Sequence, residues 1–236
     1  MKADVCGYNP LAVPWVPRAR PAVSLSVALT LAASAAGQSA ASRTFEDDPP
    51  GRPPPGFTFH VVRRASPVAW TVQRDAGNSF LAHPGDPGGR AGFALAVLEG
   101  APRGRVSVSV RIRMAAGTRS AGVVWKVQDP DNYYLARLDL DRQDIGLYRV
   151  VKGNRVRIEG EDDLELDRSA WHTLKAVQES ENIRVYLGGI RVLRARDRTF
   201  EDRGSVGVWC AADATVHFDD LRLDPRSGNA DSHRGR

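Results

Sequence analysis

The chain has 236 residues, 42% hydrophobic and 26% charged, the make-up of a globular protein with room for one sizeable folded domain. Its formal charge of +5 comes from interleaved residues of both signs, with no basic stripe, zinc-finger spacing or helical recognition pattern, so nucleic acid is excluded from the expected partners. Two cysteines, Cys6 and Cys210, lie on either side of an expected cleavage point, which excludes an intrachain disulfide in the mature protein.

Arg18 and Arg20 precede an apolar, small-residue run from Ala22 to Gly37, the pattern of a secretory signal peptide over residues 1–37, with cleavage after Ala35 or Gly37. A membrane span needs about 20 predominantly apolar residues, so the expected product is secreted or periplasmic and free of the membrane after cleavage, the alternative being an uncleaved anchor. Cleavage removes three basic residues and one acidic residue and lowers the formal charge from +5 to +3. Residues 38–56 carry the run P-P-G-R-P-P-P-G, which suits a linker or an extended lead-in because proline lacks an amide proton. Within it, Phe45 to Asp48 read either as the first edge contact of the domain or as a solvated tail.

Residues 57–224 then follow a cadence of turns and strands. Short strands are expected at Phe57–Val62, Ala69–Gln73, Ser79–His83 and Phe93–Val97. Arg105 to Met114 gives the cleanest alternation, with Val106, Val108, Val110, Ile112 and Met114 on one face and arginine and serine on the other. Next comes a hairpin across Ser120 to Leu140, turned by Asp129, Pro130, Asp131 and Asn132, whose side chains bond their own backbone. Simple alternation sets Val123, Trp125 and Val127 on one face of it and Gly122, Val124, Lys126 and Gln128 on the other. Further strands are expected at Ile145–Val151, Arg155–Ile158, Trp171–Val177, Ile183–Leu187, Ile190–Arg194, Ser205–Cys210 and Val216–Leu223, with glycine turns at Lys152-Gly153-Asn154 and Gly188-Gly189. Val206, Val208 and Cys210 share a face, so Cys210 reads as a small buried hydrophobe. No helical stripe interrupts these strands, and residues 225–236 form a polar tail. The expectation is an all-β, antiparallel two-sheet sandwich or barrel.

Five stretches stand in order along the chain: A-G-V-V-W-K-V-Q-D-P-D-N-Y-Y-L-A-R-L-D at Ala121 to Asp139, L-Y-R-V-V-K-G-N at Leu147 to Asn154, W-H-T-L-K-A-V at Trp171 to Val177, I-R-V-Y-L-G-G at Ile183 to Gly189 and G-S-V-G-V-W-C-A-A-D-A-T-V-H-F-D-D-L at Gly204 to Leu221. Through them the segment Gly122 to Leu223 resembles the concanavalin A-like jelly-roll domains, and among them the 3-keto-disaccharide hydrolase group, similar to family-16 glucanases. The resemblance implies a two-sheet antiparallel jelly roll, a ligand on the concave sheet, and either carbohydrate binding or hydrolysis of a glycoside or 3-keto-disaccharide. A structural or adhesion scaffold is the third class, since this sandwich hosts unrelated functions.

The expected binding set is Trp125, Tyr133, Tyr148 and Trp209, whose rings can stack on a pyranose, with Gln128, Asp131, Arg137 and Asp213 bonding its hydroxyls. Strand alternation forbids all the aromatics from facing one way, and Trp125 and Tyr134 are the first expected to turn into the core. Glu161, Asp163 and Glu165 match the lettering of the three-acid strand of the glucanases. In a regular strand, however, Glu161 and Glu165 stand about 13 Å apart, whereas a retaining pair needs about 5–5.5 Å; a solvated acidic loop is the simpler reading. His60, His83, His172 and His217 show no metal-ligand spacing and read as half-exposed strand residues. Jelly-roll relatives suggest Asp219 as a ligand of a structural calcium, together with an acid from Glu46 to Asp48; the alternative is a carboxylate bonding loop amides.

Overall fold

The computed structural model describes residues 41–63, 68–88, 92–100, 105–200 and 204–224; the expected signal peptide and the polar tail lie outside them. Two antiparallel sheets face each other in a jelly-roll sandwich, and no helix occurs among the described residues. The eight-stranded sheet contains β1 (Ala41–Arg43), β3 (Thr71–Asp75), β4 (Asn78–His83), β6 (Val106–Ala116), β11 (His172–Glu179), β12 (Asn182–Leu187), β13 (Ile190–Arg196) and β15 (Thr215–Leu223). The seven-stranded sheet runs in the order β10 (Asn154–Glu161), β9 (Asp144–Val151), β8 (Asn132–Asp139), β7 (Ser120–Asp129), β14 (Ser205–Ala211), β5 (Phe93–Leu98) and β2 (Phe57–Val62).

The alternation read from β6 holds: Val106, Val108, Val110, Ile112 and Met114 point into the core, where they meet Ala94, Ala96, Val123, Leu138, Val206, Val208 and Cys210 from the other sheet. Burial raises the Cys210 thiol well above its ordinary pKa, which keeps it protonated and inert. The segment read as a linker or lead-in is integrated from Ala41 onward. β1 pairs with β15, Phe45 is buried against Phe57, and the Gly51 amide donates to the Val72 carbonyl.

One irregularity breaks the simple alternation of β7. At Lys126 the backbone turns to φ 49° and the register with β8 shifts, forming a bulge. An extra residue inverts every side chain beyond it. Val127 therefore leaves the core side, where alternation had placed it with Trp125, and joins Val124 on the outer face. Lys126 itself is buried, with Nζ donating to the Phe200 carbonyl at 3.4 Å.

The seven-stranded sheet is also strongly curled. Its edges, β2 and β10, are six strand spacings apart, about 29 Å if the sheet were flat. Yet Arg63, just past β2, donates Nη2 to the Gly153 carbonyl in the β9–β10 turn at 3.2 Å, and Arg155 on β10 lies 5.3 Å from the Phe93 ring on β5. Diagonal corners of the sheet are thus drawn together and its outer face turns concave, a hollow closed over by its own side chains: Tyr133, Tyr148 and Trp209 are 2%, 8% and 1% exposed.

Candidate functional site

Residues directly opposite in an antiparallel pair point to the same face, so the register specifies what lines the hollow. The central rung carries Gly146, Arg137, Gly122, Trp209 and Leu95 across β9, β8, β7, β14 and β5. The next carries Tyr148, Leu135, Val124, Gly207 and Val97, and beyond it lie Arg155, Val150 and Tyr133. On the other side of the central rung, Asp139 and Asp144 stand opposite each other. Gly122 brings the strands close: a Cβ there would sit 2.0 Å from the Ala136 carbonyl oxygen. Being bare, it also leaves a gap in the rung between Arg137 and Trp209.

Arg137 is 6% exposed. Its Nη2 makes a short hydrogen bond to Asp144, its Nη1 faces Asp139 Oδ2 at 3.6 Å, and its guanidinium lies 5.3 Å from the Tyr148 ring. Its Nε has no acceptor among the described residues. The Nε1 of Trp209, 1% exposed, has none either. A buried donor without a partner costs about 1–3 kcal/mol, so the lining holds two donors suited to the oxygen atoms of a guest. The phenol of Tyr133 is pushed up to about 12 by burial, with Trp209 and Arg155 acting the other way. The approach of the Trp209 indole to that phenol falls short of a hydrogen bond. Arg155 lies over the rings of Tyr148, Phe93 and Trp209 at 5.1, 5.3 and 5.9 Å, and burial followed by the Arg137 charge lowers its pKa.

Of the eight expected binding residues, the fold brings Tyr133, Arg137, Tyr148 and Trp209 together. Trp125 is in the sandwich core, stacked on Tyr134 at 5.5 Å, with Nε1 donating to Gln178 Oε1 at 2.8 Å. It precedes the bulge and keeps the inward phase of Val123. Gln128 and Asp131 are exposed at the β7–β8 turn. That turn is held by Asp129, whose Oδ1 accepts from the Asp131 amide at 2.8 Å, and is fastened to the β9–β10 turn by Lys152 N donating to Asn132 Oδ1 at 3.0 Å. Asp213 takes its contacts from loops: Oδ2 accepts from Thr118 Oγ1 at 2.9 Å, and its carbonyl lies against Gly85 and Gly117.

Tyr134 and Asp197 tie the sheets together. The Tyr134 hydroxyl donates to Asp197 Oδ1 at 2.5 Å, and Arg149 Nη1 donates to Asp197 Oδ2 at 2.6 Å. Burial works against the Asp197 charge, but hydrogen bonds from Thr199, Tyr134 and Arg149 outweigh it and hold the carboxyl below its usual range.

Glu161, Asp163 and Glu165 are exposed, with Leu164 and Leu166 turned inward between them, and the Leu166 amide donates to Gln143 Oε1 at 2.7 Å. Asp219 is buried. Its Oδ1 accepts from the Asp220 amide at 2.6 Å, its Oδ2 accepts from Asn78 Nδ2 at 3.1 Å, and Arg111 stands 3.7 Å away. Glu46 Oε1 accepts from the Ser79 amide at 2.9 Å. Calcium takes six to eight oxygens, and an adjacent arginine with engaged carboxylate oxygens does not fit that ion. Among the described residues no group of three or more His, Cys, Asp or Glu is placed to hold a metal. His60, His172 and His217 are half-buried, but His83 is fully so, its Nδ1 2.9 Å from the Ala214 carbonyl, because its strand position faces Trp70 in the core.

The sequence reading missed Phe93, Arg63 and Arg155 as parts of the hollow. The glycine turn at Lys152-Gly153 was the available signal for Arg155, since the hairpin register places it opposite Val150. A second aromatic cluster lies on the outer face of the eight-stranded sheet. There Phe80 stacks on His217 at 4.3 Å, and Arg111 and Arg113 lie 5.0 and 5.1 Å from the Trp171 ring.

No protein-family model matches the chain, and no curated protein does. Solved structures do. The carbohydrate binding module CBM66 from Bacillus subtilis superposes with a TM-score of 0.56 at 18% identity, covering 72% of this chain and 96% of that one. The cellulose induced protein Cip1 gives 0.58 at 15%, covering 79% and 97%. The carbohydrate recognition domain of Emp47p gives 0.53 at 12%, covering 77% and 93%. At such identities the likeness is one of fold.

Proposed function

We propose that this protein is a secreted or periplasmic domain that binds carbohydrate, without catalysis, in the hollow of its seven-stranded sheet. The observation that carries the reading is the convergence of Tyr133, Tyr148 and Trp209 with the unpaired Arg137 Nε and Trp209 Nε1 donors on one lining. Flat apolar rings beside a few directed polar atoms are what a pyranose requires, with its apolar faces and rim of hydroxyls. The neighbours described as a carbohydrate binding module and a carbohydrate recognition domain share the fold and support the reading.

A hydrolase of glycosides or 3-keto-disaccharides needs a carboxylic acid free to donate a proton. The two carboxylates of the lining, Asp139 and Asp144, both face Arg137, and Arg142 Nε stands 3.2 Å from Asp144 Oδ2. Both carboxylates are thus engaged by guanidinium groups and not turned toward a guest, which supports binding over turnover. A glycan array, paired with an assay of sugar release from glycosides and 3-keto-disaccharides, tests this. Retention of glycans without release is expected. Sugar release refutes the non-catalytic reading, and silence in both assays leaves a scaffold.

A further inference from the structure

The charges of the hollow are unevenly matched. Arg137 is held by Asp144 and Asp139, and Arg157 is paired with Asp162 at 3.0 Å. Arg63 bonds the Gly153 carbonyl. Arg155 has no carboxylate and no hydrogen-bond acceptor among the described residues; its neighbours are the three rings of Tyr148, Phe93 and Trp209. Solvent reaches its side chain, but the rings beneath it desolvate the guanidinium in part and the Arg137 charge repels it, two unfavourable effects that an anion in contact with it would relieve together.

Given a carbohydrate-binding hollow, on which this step depends, we propose that the guest is an acidic saccharide whose uronate carboxylate pairs with Arg155. The carboxylate matches the planar fork of a guanidinium and takes a charge-assisted pair of hydrogen bonds. Drawing Arg155 toward that carboxylate lifts it from the rings of Tyr148 and Trp209, the surfaces on which a pyranose stacks. It also uncovers the Trp209 Nε1 donor for a ring or hydroxyl oxygen. Asp131, exposed at the rim, is the nearby acid that opposes such a ligand, and its charge acts on Tyr133 together with that of Arg63. The pair of arginines at the drawn-together corners outweighs it.

The test is calorimetry with trisaccharides of galacturonate, glucuronate and mannuronate and with their neutral counterparts, on the wild type, Arg155→Gln and Arg155→Lys. Arg155 lies on an edge strand with its side chain exposed, so these variants retain the fold, which circular dichroism verifies. At least one uronate is expected to bind tenfold or more tightly than its neutral form. That preference should weaken with added salt, disappear in Arg155→Gln and return in part in Arg155→Lys. Neutral trisaccharides binding as tightly as the uronates would overturn the acidic-ligand proposal and leave carbohydrate binding standing. Unchanged uronate affinity in Arg155→Gln would overturn it as well. Binding of neither class would overturn both.

Discussion

Arg137 and its two carboxylates offer a sharp test of how the lining is held. Asp139 and Asp144 stand opposite each other on β8 and β9, with the Arg137 guanidinium between them, all three side chains nearly out of water. Replacing Asp144 by Ala leaves Arg137 with Asp139 alone, 3.6 Å away. Breaking a buried ion pair costs about 3–5 kcal/mol. The remaining carboxylate sets the expectation near the lower end, and in a domain of this size about 3 kcal/mol lowers Tm by about 6–12 °C. Arg137→Met costs a similar amount at neutral pH for a different reason: two buried carboxylates then face each other with only the exposed Arg142 guanidinium beside Asp144. Thermal melts at neutral pH should therefore show both variants lowered by about 6–12 °C, and the double variant Arg137→Met/Asp144→Ala lowered by less than the sum of the two. Melting within about 2 °C of wild type for both single variants, or full additivity in the double variant, would refute the reasoning.

Three further outcomes follow from single features. Tyr134→Phe removes a donor to the charged Asp197 and should cost about 1.5–3 kcal/mol in urea unfolding; a loss below 0.5 would show that Thr199 and Arg149 suffice. Gly122→Ala forces a Cβ against the Ala136 carbonyl and should reach or exceed the upper end of the roughly 1–3 kcal/mol range for overpacking; an unchanged urea midpoint would mean that β7 and β8 separate freely. The His217 ring is pushed down to about 4 by burial first and the Arg113 guanidinium second, with Asp75 opposing. Protonation then favours the unfolded chain, so stability should fall as pH drops from 6.5 toward 4 and stay level above. After allowance for the half-exposed ring the loss is about 1–2 kcal/mol. His217→Gln should flatten that slope, and an identical slope in the variant would assign the acid sensitivity elsewhere.

Much of the fold was legible because β-strands advertise themselves by period. The alternating valines of β6 and the glycine turns that fix the β9–β10 and β12–β13 hairpins are local properties, and the strands appear close to where those patterns place them. Three features were not local. β1 contains only Ala41, Ser42 and Arg43 and is recruited by its pairing with β15, which no property of that tripeptide announces. The bulge at Lys126 moves Val127 to the other face of its strand, and a lysine at φ 49° carries no glycine to mark it. The order of strands in each sheet depends on contacts between distant segments, such as β14 with β5 and β7.

The candidate site divides along the same line. Tyr133, Tyr148 and Trp209 were identifiable as rings on strands, and Arg137 as a polar residue in phase with Tyr133 and Leu135. Trp125, in a run just as rich in aromatic and polar residues, shares the inward phase of Val123 and lies in the core with Tyr134, as strand alternation had led one to expect. What the chain alone concealed is the curl. Only with the corners drawn together do Arg63, Phe93 and Arg155 come within reach of the others, from strands that are remote in both sequence and sheet order.

The most direct test of the carbohydrate-binding hollow is the indole N–H resonance of Trp209, observed in nitrogen-labelled protein during titration with the acidic and neutral trisaccharides. The structure predicts that this peak shifts on saturation while those of Trp70, Trp125 and Trp171 hold their positions. A saccharide that saturates the protein with the Trp209 peak stationary, or with the Trp171 peak moving in its place, would contradict the assignment of the site to this face.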